Sequence, residues 1–232
     1  MLSALGNRLY NSLIYKGYYW YLLDGLKITL IVTFFAVLLG FVIGLCIAVV
    51  KVASAHSRAL RPLEFVANLY VTVIRGTPVV MQLLIIYFVV FAGVRHVSQV
   101  LVAIVAFGVN SGAYVSEIIR SGILAVDSGQ TEAGRSLGLT FGQTYRYIVL
   151  PQAIKNILPA LGNEFIALLK ETAVVGMIGL QDLTMGSDIV QSQTYDAFVP
   201  LLTAAAVYLV IVVGLTAALG RLERRLRQSD NR

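Results

Sequence analysis

An uncharged hydrophobic run constrains the fold of this chain more than any other feature. No Asp, Glu, Lys or Arg occurs from Ile28 to Val50, and about 20 apolar residues are enough for an α-helix to cross the hydrocarbon core of a bilayer. Over all 232 residues, 58% are hydrophobic and 13% are charged, whereas a soluble globular domain has about 25% charged residues. The chain is therefore predicted to be an all-α integral membrane protein.

Four further apolar stretches bring the predicted number of transmembrane helices to five. These spans are expected at about residues 26–50, 63–94, 97–121, 155–178 and 197–220, within a transmembrane domain of residues 24–220. Gly76 and Pro78 are expected to bend the second span. Residues 1–23 are rich in aromatic side chains, which favour the membrane–water interface, so this segment is predicted to anchor the chain at the external surface.

The distribution of positive charge predicts the orientation. Lys and Arg are concentrated in the first linker, in residues 128–151 and in the basic tail, residues 221–232, whereas the acidic loop from Gln181 to Asp196 has none. Because cytoplasmic loops carry an excess of Lys and Arg, the tail is placed in the cytoplasm, and five spans then place the N-terminus outside.

Two kinds of partner are excluded by the same features. The net charge of +6 comes from cations at the ends of apolar runs, so no nucleic acid is expected to bind. Cys46 is the single cysteine and lies in an apolar run, so neither a disulfide framework nor a metal site is expected.

Residues 128–151 form a polar segment with a helical pattern. Glycines recur in it at intervals of four or five residues, at Gly129, Gly134, Gly138 and Gly142. One long stiff helix is therefore not expected. Thr140 and Gln143 fit a capping box, which predicts a second short helix just after a break at Gly138. Pro151 is expected to limit that helix.

The second short helix has one apolar face, formed by Phe141, Tyr145 and Ile148. Two short helices joined at a glycine would make a knob suited to a partner's groove. The alternative is an amphipathic loop that rests on the lipid surface.

Polar groups inside the predicted spans indicate either a pathway or contacts between helices. An ionisable group at the centre of a span costs roughly 2.5–3.5 kcal/mol, so it needs a cavity or a partner. Two spans carry polar stripes, one with Asn68, Thr72, Arg75 and Gln82 and the other with Asn110, Tyr114, Glu117 and Ser121. The candidate pathway residues are Arg75, Asn110, Tyr114, Glu117 and Glu164.

The alternative for these residues is structural. Asn, Thr and Tyr can satisfy one another across helix contacts, and Glu117 could pair with the nearby Arg120. Arg75 could bond carbonyl groups freed by the bend at Pro78.

A set of ordered motifs runs through the chain: Glu132-Ala133-Gly134, Gly138 and Ile148-Val149-Leu150-Pro151, with Arg75-Gly76-Thr77-Pro78 before them and Asn163-Glu164-Phe165 after them. The first three resemble the EAA motif of binding-protein-dependent ABC importer permeases. The others resemble the polar amino acid branch of that family, which takes histidine, glutamine or arginine. The resemblance covers about residues 23–225. It departs from the family pattern at Gly134, where a second alanine is usual, and at Ala173-Val174, where Ser-Leu is common.

The resemblance implies a type I ABC importer permease fold in the inner membrane of a bacterial cell, with the pathway formed as a dimer with a second copy or a paralogue. Residues 128–151 would be a cytoplasmic coupling helix docked on a separate ATP-binding subunit. The residues implied in that contact are Glu132, Ala133, Gly138, Phe141, Tyr145, Ile148, Leu150 and Pro151.

The same resemblance implies a division of labour. The sequence contains no G-x-x-x-x-G-K-[ST] phosphate loop, so ATP and Mg are expected on the partner ATPase, with no catalytic residue or cofactor in this chain. An extracytoplasmic solute-binding protein would release a small polar amino acid into the cavity. Glu117 and Glu164 suit an ammonium or guanidinium group, and Arg75 suits a carboxylate.

Two other functions compete with this one. An ion-driven secondary amino acid transporter would use Glu117 and Glu164 as ion sites, although the internal repeats typical of such transporters are not evident. A non-transporting membrane scaffold would present residues 128–151 to a soluble partner.

Overall fold

The computed structural model describes residues 9–54 and 57–228, and within these ranges every regular element is helical. The first eight residues of the predicted aromatic anchor and the last four of the basic tail lie outside the described residues. The α-helices are α1 (Tyr19–Ser54), α2 (Arg61–Gly76), α3 (Val79–Ile85), α4 (Gln99–Leu124), α5 (Ser128–Ser136), α6 (Phe141–Thr144), α7 (Leu150–Glu171), α8 (Leu183–Thr194) and α9 (Phe198–Gln228).

Shorter helical turns extend or join these helices. π-Helical turns cover Tyr10–Ile14, Ile86–Val90 and Tyr145–Val149, and 3-10 turns cover Arg58–Leu60 and Thr172–Ile178. The turn at Tyr145–Val149 joins α6 to α7 with α-helical backbone angles at both of its ends. The prediction that Pro151 limits the second short helix was therefore wrong. Pro151 lies in the first turn of α7, directly after the π turn, and the φ of about −65° that its ring imposes is compatible with a helix.

Three of the described helices are long and apolar enough to cross a membrane, namely α1, α4 and the part of α9 up to Leu226. A fourth candidate consists of Arg58–Gly76 and Val79–Val90, which are bent by 108° relative to each other. The bend predicted at Gly76 and Pro78 is thus confirmed. It is sharp because Pro78 has an extended backbone and has no N–H to continue a helix.

The centre of the bundle is the long contact between α1 and α4. Small residues allow the two backbones to approach closely, as is usual between membrane helices. A Cβ atom added to Gly44 would lie 2.6 Å from Cγ1 of Val115, and one added to Gly108 would lie 2.6 Å from Cδ2 of Leu39. The largest buried cluster surrounds this contact and includes Val32, Ala106, Phe107, Leu83 and Leu168.

The predicted acidic loop is mostly a helix. Residues Leu183–Thr194 form α8, which packs across the start of α1. Asp182 begins this helix by accepting hydrogen bonds from the backbone N–H groups of Met185 and Thr184, at 2.9 and 3.2 Å. A Cβ atom at Gly186 would collide with the carbonyl oxygen of Tyr21, so the glycine permits this crossing.

Candidate translocation pathway and partner-facing segment

Residues 128–151 fold locally as their sequence predicts. Asp127 starts α5 by accepting a hydrogen bond from the N–H of Gly129 at 2.7 Å. The capping box is present, because the N–H of Thr140 donates to Oε1 of Gln143 at 2.9 Å and the N–H of Gln143 donates back to Oγ1 of Thr140 at 3.3 Å. Gly138 has φ +82°, a left-handed conformation that favours glycine. The two short helices are therefore joined at this glycine.

The outer side of this segment exposes apolar groups in a polar setting. Leu137 is 81% exposed and Tyr147 is 65% exposed, and neither was among the sequence candidates. The signal for Leu137 is a single large apolar residue within a hydrophilic stretch. Such exposed side chains, on a segment outside the long apolar helices, are typical of a surface that meets a partner.

The predicted contact residues of this segment fall into two groups. Five are exposed, namely Glu132, Ala133, Gly138, Leu150 and Pro151. The other three, Phe141, Tyr145 and Ile148, are half-buried. The rings of Phe141 and Tyr145 lie against each other with centroids 4.3 Å apart.

Glu164 lies where α7 meets α4. Its Oε1 accepts a hydrogen bond from the hydroxyl of Ser111 at 2.8 Å, and Ser111 is fully buried on α4. Glu164 is one of the residues lining a partly open cavity of about 240 Å³. The other residues lining that cavity are apolar: Phe34, Val37, Leu38, Phe41, Val115, Leu161 and Phe165. A carboxylate in such an apolar cavity can bind a cation more strongly than it would in water.

Arg75, in the last turn of α2, contacts Tyr114 of α4. The guanidinium carbon of Arg75 lies 5.3 Å from the centroid of the Tyr114 ring, which is a cation–π contact. Arg75 is otherwise exposed, and Tyr114 is half-buried. The cation–π contact thus favours one position of the guanidinium group, whose hydrogen-bond donors remain available to a ligand.

Glu117 sits in a different environment from Glu164. Its carboxylate accepts hydrogen bonds from Nζ of Lys51 at 2.6 Å and from Nη2 of Arg120 at 2.8 Å. The pair with Arg120 is the structural alternative considered above, whereas the pair with Lys51 was not predicted. The sequence signal for this pair was Lys51, a lone cation at the end of the uncharged run from Ile28 to Val50. The pair with Lys51 ties the last turn of α1 to α4, and both pairs compensate the carboxylate charge.

Asn110 is buried and hydrogen-bonded to α3. Its Nδ2 donates to Oε1 of Gln82 at 2.9 Å. Gln82 was noted in a polar stripe but was not among the candidate pathway residues. The five candidates therefore do not form one cluster. Arg75 joins Tyr114, while Asn110, Glu117 and Glu164 each bind a different neighbour.

Known proteins resemble this chain in both sequence and structure. Residues 36–228 match the family described as binding-protein-dependent transport system inner membrane component. The chain belongs to this family. Among the family's proteins, the arginine transport system permease protein ArtQ of Bacillus subtilis (strain 168) is 40% identical over 212 residues, covering 90% of this chain and 94% of that protein. The glutamine transport system permease protein GlnP of Escherichia coli (strain K12) is 35% identical over 209 residues, covering 89% and 93%.

Solved structures agree with the family assignment. A crystal structure of an amino acid ABC transporter with histidines has a TM-score of 0.83 and 48% identity, covering 88% of this chain and 94% of that one. An inward-facing structure of the MetNI methionine ABC transporter has a TM-score of 0.74 and 25% identity, covering 89% and 96%.

These findings confirm several predictions. The chain is a multi-pass inner membrane permease subunit of an ABC importer with the type I permease fold. It is a non-catalytic membrane component, because ATP hydrolysis in this family belongs to a separate subunit. The ion-driven secondary transporter is not supported.

Proposed function

We propose that this chain is the membrane-spanning subunit of an ATP-driven importer for a polar amino acid. In this proposal it crosses the membrane five times, forms the pathway as a dimer and couples to a separate ATPase through residues 128–151. The observation that carries the proposal is Glu164, a carboxyl group bordering an otherwise apolar cavity in a chain whose relatives are named arginine and glutamine permeases.

Five spans require α7 to be the fourth. It has 22 residues, which at 1.5 Å per residue makes about 33 Å, and the hydrocarbon core is about 30 Å thick. Its polar side chains Asn163 and Glu164 keep it less apolar than the other spans, which is acceptable if it faces the pathway. The basic end of α9 then lies in the cytoplasm and the N-terminus lies outside.

A dimer is supported by the polar face of α2. Asn68, Thr72 and Arg75 lie along this helix and are exposed in the single chain. Polar groups facing lipid without a hydrogen-bond partner would each cost several kcal/mol. A second permease, either a copy or a paralogue, together with a water-filled pathway between the two would cover this face.

The two charged candidates of the pathway suit the two charges of an amino acid. The carboxylate of Glu164 would bind an ammonium or guanidinium group against the aromatic walls of Phe34, Phe41 and Phe165. The guanidinium group of Arg75 would bind the amino acid carboxylate. An extracytoplasmic solute-binding protein would deliver the amino acid to this site.

Coupling is assigned to the exposed side of residues 128–151. Leu137, Tyr147 and Leu150 would enter a cleft of the ATP-binding subunit, which would hold ATP and Mg. Glu132 lies at the middle of α5 and is exposed, so its carboxylate would form part of the surface that meets the ATP-binding subunit. Closure of two ATPase subunits on ATP would push these segments and open the pathway to the outside.

The experiment that tests the substrate site is Glu164→Gln in the complex reconstituted with its ATPase and binding protein. The variant keeps the shape and removes the charge, and a hydrogen bond to a charged group contributes about 1.5–3 kcal/mol. The half-saturating concentration for uptake should rise roughly tenfold or more. Glu223→Gln, the same change near the end of α9 and away from the cavity, should leave it unchanged. If an assembled Glu164→Gln complex shows unaltered uptake, Glu164 has only a structural role as the hydrogen-bond partner of Ser111.

A further inference from the structure

The break between α2 and α3 leaves backbone carbonyl groups that need partners. At membrane depth such groups must be bonded within the protein or must line a water-filled cavity. The hydroxyl of Thr77 donates to the carbonyl oxygen of Val73 at 2.9 Å. The side-chain amide of Gln82 donates to the carbonyl oxygen of Ile74 at 2.7 Å. The end of α2 is thus closed by two side chains that follow the break.

Gln82 reaches both sides of the break at once. Its Nε2 also lies 2.8 Å from Oγ1 of Thr77 and 3.1 Å from the carbonyl oxygen of Thr77. Its Oε1 accepts the hydrogen bond from Asn110. Because carbonyl oxygens only accept, the NH₂ group must face the break and the oxygen must face Asn110. Gln82 is only 8% exposed, and its two N–H groups are shared among three acceptor oxygens at the break, so this orientation of the amide is the one that suits its partners.

Arg75 lies directly beside this network. It follows Ile74, whose carbonyl oxygen Gln82 binds, and its guanidinium group rests on Tyr114 of α4. Tyr114 comes four residues after Asn110, which is about one helical turn on the same face. Two contacts one turn apart therefore hold the bent segment against α4, one through the amide of Gln82 and the other through Arg75.

We propose that Gln82 is a positioning residue for Arg75, so that recognition of the substrate carboxylate depends on an amide that does not touch the substrate. The inference rests on the proposed role of Arg75 in the pathway. Loss of the amide frees the end of α2 to move relative to α4, and the guanidinium group then no longer has a fixed position at which to meet a carboxylate.

The test is amino acid binding to the purified permease–ATPase complex, without binding protein. The probes are L-arginine, L-histidine and L-glutamine, each paired with its decarboxylated analogue: agmatine, histamine and 4-aminobutanamide. The pair that binds the parental complex most tightly is used. Gln82→Leu keeps the side-chain size and removes the amide. It should raise the dissociation constant of the amino acid by about fivefold or more and leave that of the decarboxylated amine unchanged.

A double variant provides a second test. Arg75→Gln should weaken amino acid binding in the same selective way, and Arg75→Gln with Gln82→Leu should bind no more weakly than Arg75→Gln alone, because both changes remove one interaction. Gln99→Leu is the matched control. Gln99 makes a similar bond, 2.8 Å to the carbonyl oxygen of Ile178, away from Arg75, and its loss should affect neither probe.

Each contrary result has its own meaning. If Gln82→Leu weakens both probes equally, or if the double variant is additive, Gln82 is only structural and the inference fails while the proposed function stands. If Arg75→Gln binds both probes normally, the carboxylate role of Arg75 fails and the inference fails with it. If Gln82→Leu does not assemble, Asn110→Ala, which removes one of the four contacts of the amide, must show the same selectivity, and equal weakening of both probes by that variant overturns the proposal.

Discussion

Gly134 of α5 lies directly against Thr144 of α6. A Cβ atom added to Gly134 would stand 2.7 Å from Cγ2 of Thr144 and 2.9 Å from Cδ1 of Ile148. Thr144 is fully buried, and its hydroxyl donates to the carbonyl oxygen of Thr140 at 3.0 Å, so its methyl group cannot turn away without losing that bond. The glycine that departs from the family pattern is therefore the residue that lets α5 and α6 touch.

This contact predicts that Gly134→Ala is harmful despite the better helix propensity of alanine. Propensity favours alanine by about 1 kcal/mol, whereas overpacking typically costs about 1–3 kcal/mol. The assembled complex should melt at a lower temperature and retain less ATPase subunit during purification. Adding Thr144→Ser removes the clashing methyl group and should restore both properties. A Gly134→Ala complex that behaves like the parent would show that α5 and α6 can move apart freely.

The left-handed backbone of Gly138 gives a second prediction. Nothing lies within 4 Å of a Cβ atom added there, so Gly138→Ala introduces backbone strain alone, of about 1–2 kcal/mol. ATPase activity stimulated by loaded binding protein should fall, and Gly138→Asp should be worse, because it adds an unpaired charge at a partner surface. Gly142→Ala is the control, since its Cβ also meets open space but the glycine is helical. Equal activity of the Gly138 and Gly142 variants would remove the strained turn from the coupling mechanism.

The ion pairs of Glu117 give a third prediction, which concerns the stability of the protein rather than transport. Lys51→Met should destabilise the protein by a few kcal/mol, because it leaves a mostly buried carboxylate with less compensation. Lys51→Met combined with Glu117→Gln should lose less stability than the sum of the losses caused by the two single changes. Arg120→Gln should lower the stability less than Lys51→Met does, since the Arg120 side chain is 40% exposed. The melting temperatures of the parent and the four variants in one detergent provide the comparison, and strict additivity would argue against a coupled pair.

How much of this arrangement the sequence predicts depends on the range of the interactions. The capping box of Thr140 and Gln143 and the break at Gly138 involve residues three or fewer positions from the helix end, so local chemistry determines them. The bend at Pro78 is local as well. The pair of Lys51 with Glu117 joins residues 66 positions apart, and the bond of Asn110 to Gln82 joins residues 28 apart. Such partners are selected by the packing of α1, α3 and α4, which no local pattern encodes.

Two predictions were wrong, one for the acidic segment and one for Pro151. The acidic segment was predicted to be a loop because its charges fit an exposed surface, yet the cap at Asp182 and the close crossing at Gly186 make it a packed helix. Pro151 was expected to end a helix. The preceding π turn instead delivers it to the first turn of α7, where proline is tolerated.

Asp182 gives a prediction on pH. Burial raises the pKa of the Asp182 carboxyl above its ordinary value of 3.8, although the backbone N–H groups of Met185 and Thr184 act in the opposite direction. The folded protein therefore holds this proton more tightly than the unfolded chain does. The stability contributed by Asp182 is fully present below its ordinary pKa and falls as pH rises through the folded pKa.

The variant that checks this is Asp182→Asn, which keeps an oxygen to cap α8 and does not titrate. Measured from the ordinary pKa of 3.8 upward, the melting temperature of Asp182→Asn should improve relative to the parent as pH rises. Asp188→Asn, an exposed position on the same helix, controls for the change from carboxylate to amide. A difference that stays constant, or that moves in favour of the parent as pH rises, contradicts the assignment.

The most direct test of the whole account is uptake by proteoliposomes that contain this chain, its ATPase and its binding protein. The account predicts that ATP on the ATPase side drives accumulation of a polar amino acid, that the same amino acid stimulates ATP hydrolysis, and that uptake survives collapse of the proton and sodium gradients. Uptake that needs no ATP and follows an ion gradient would contradict it.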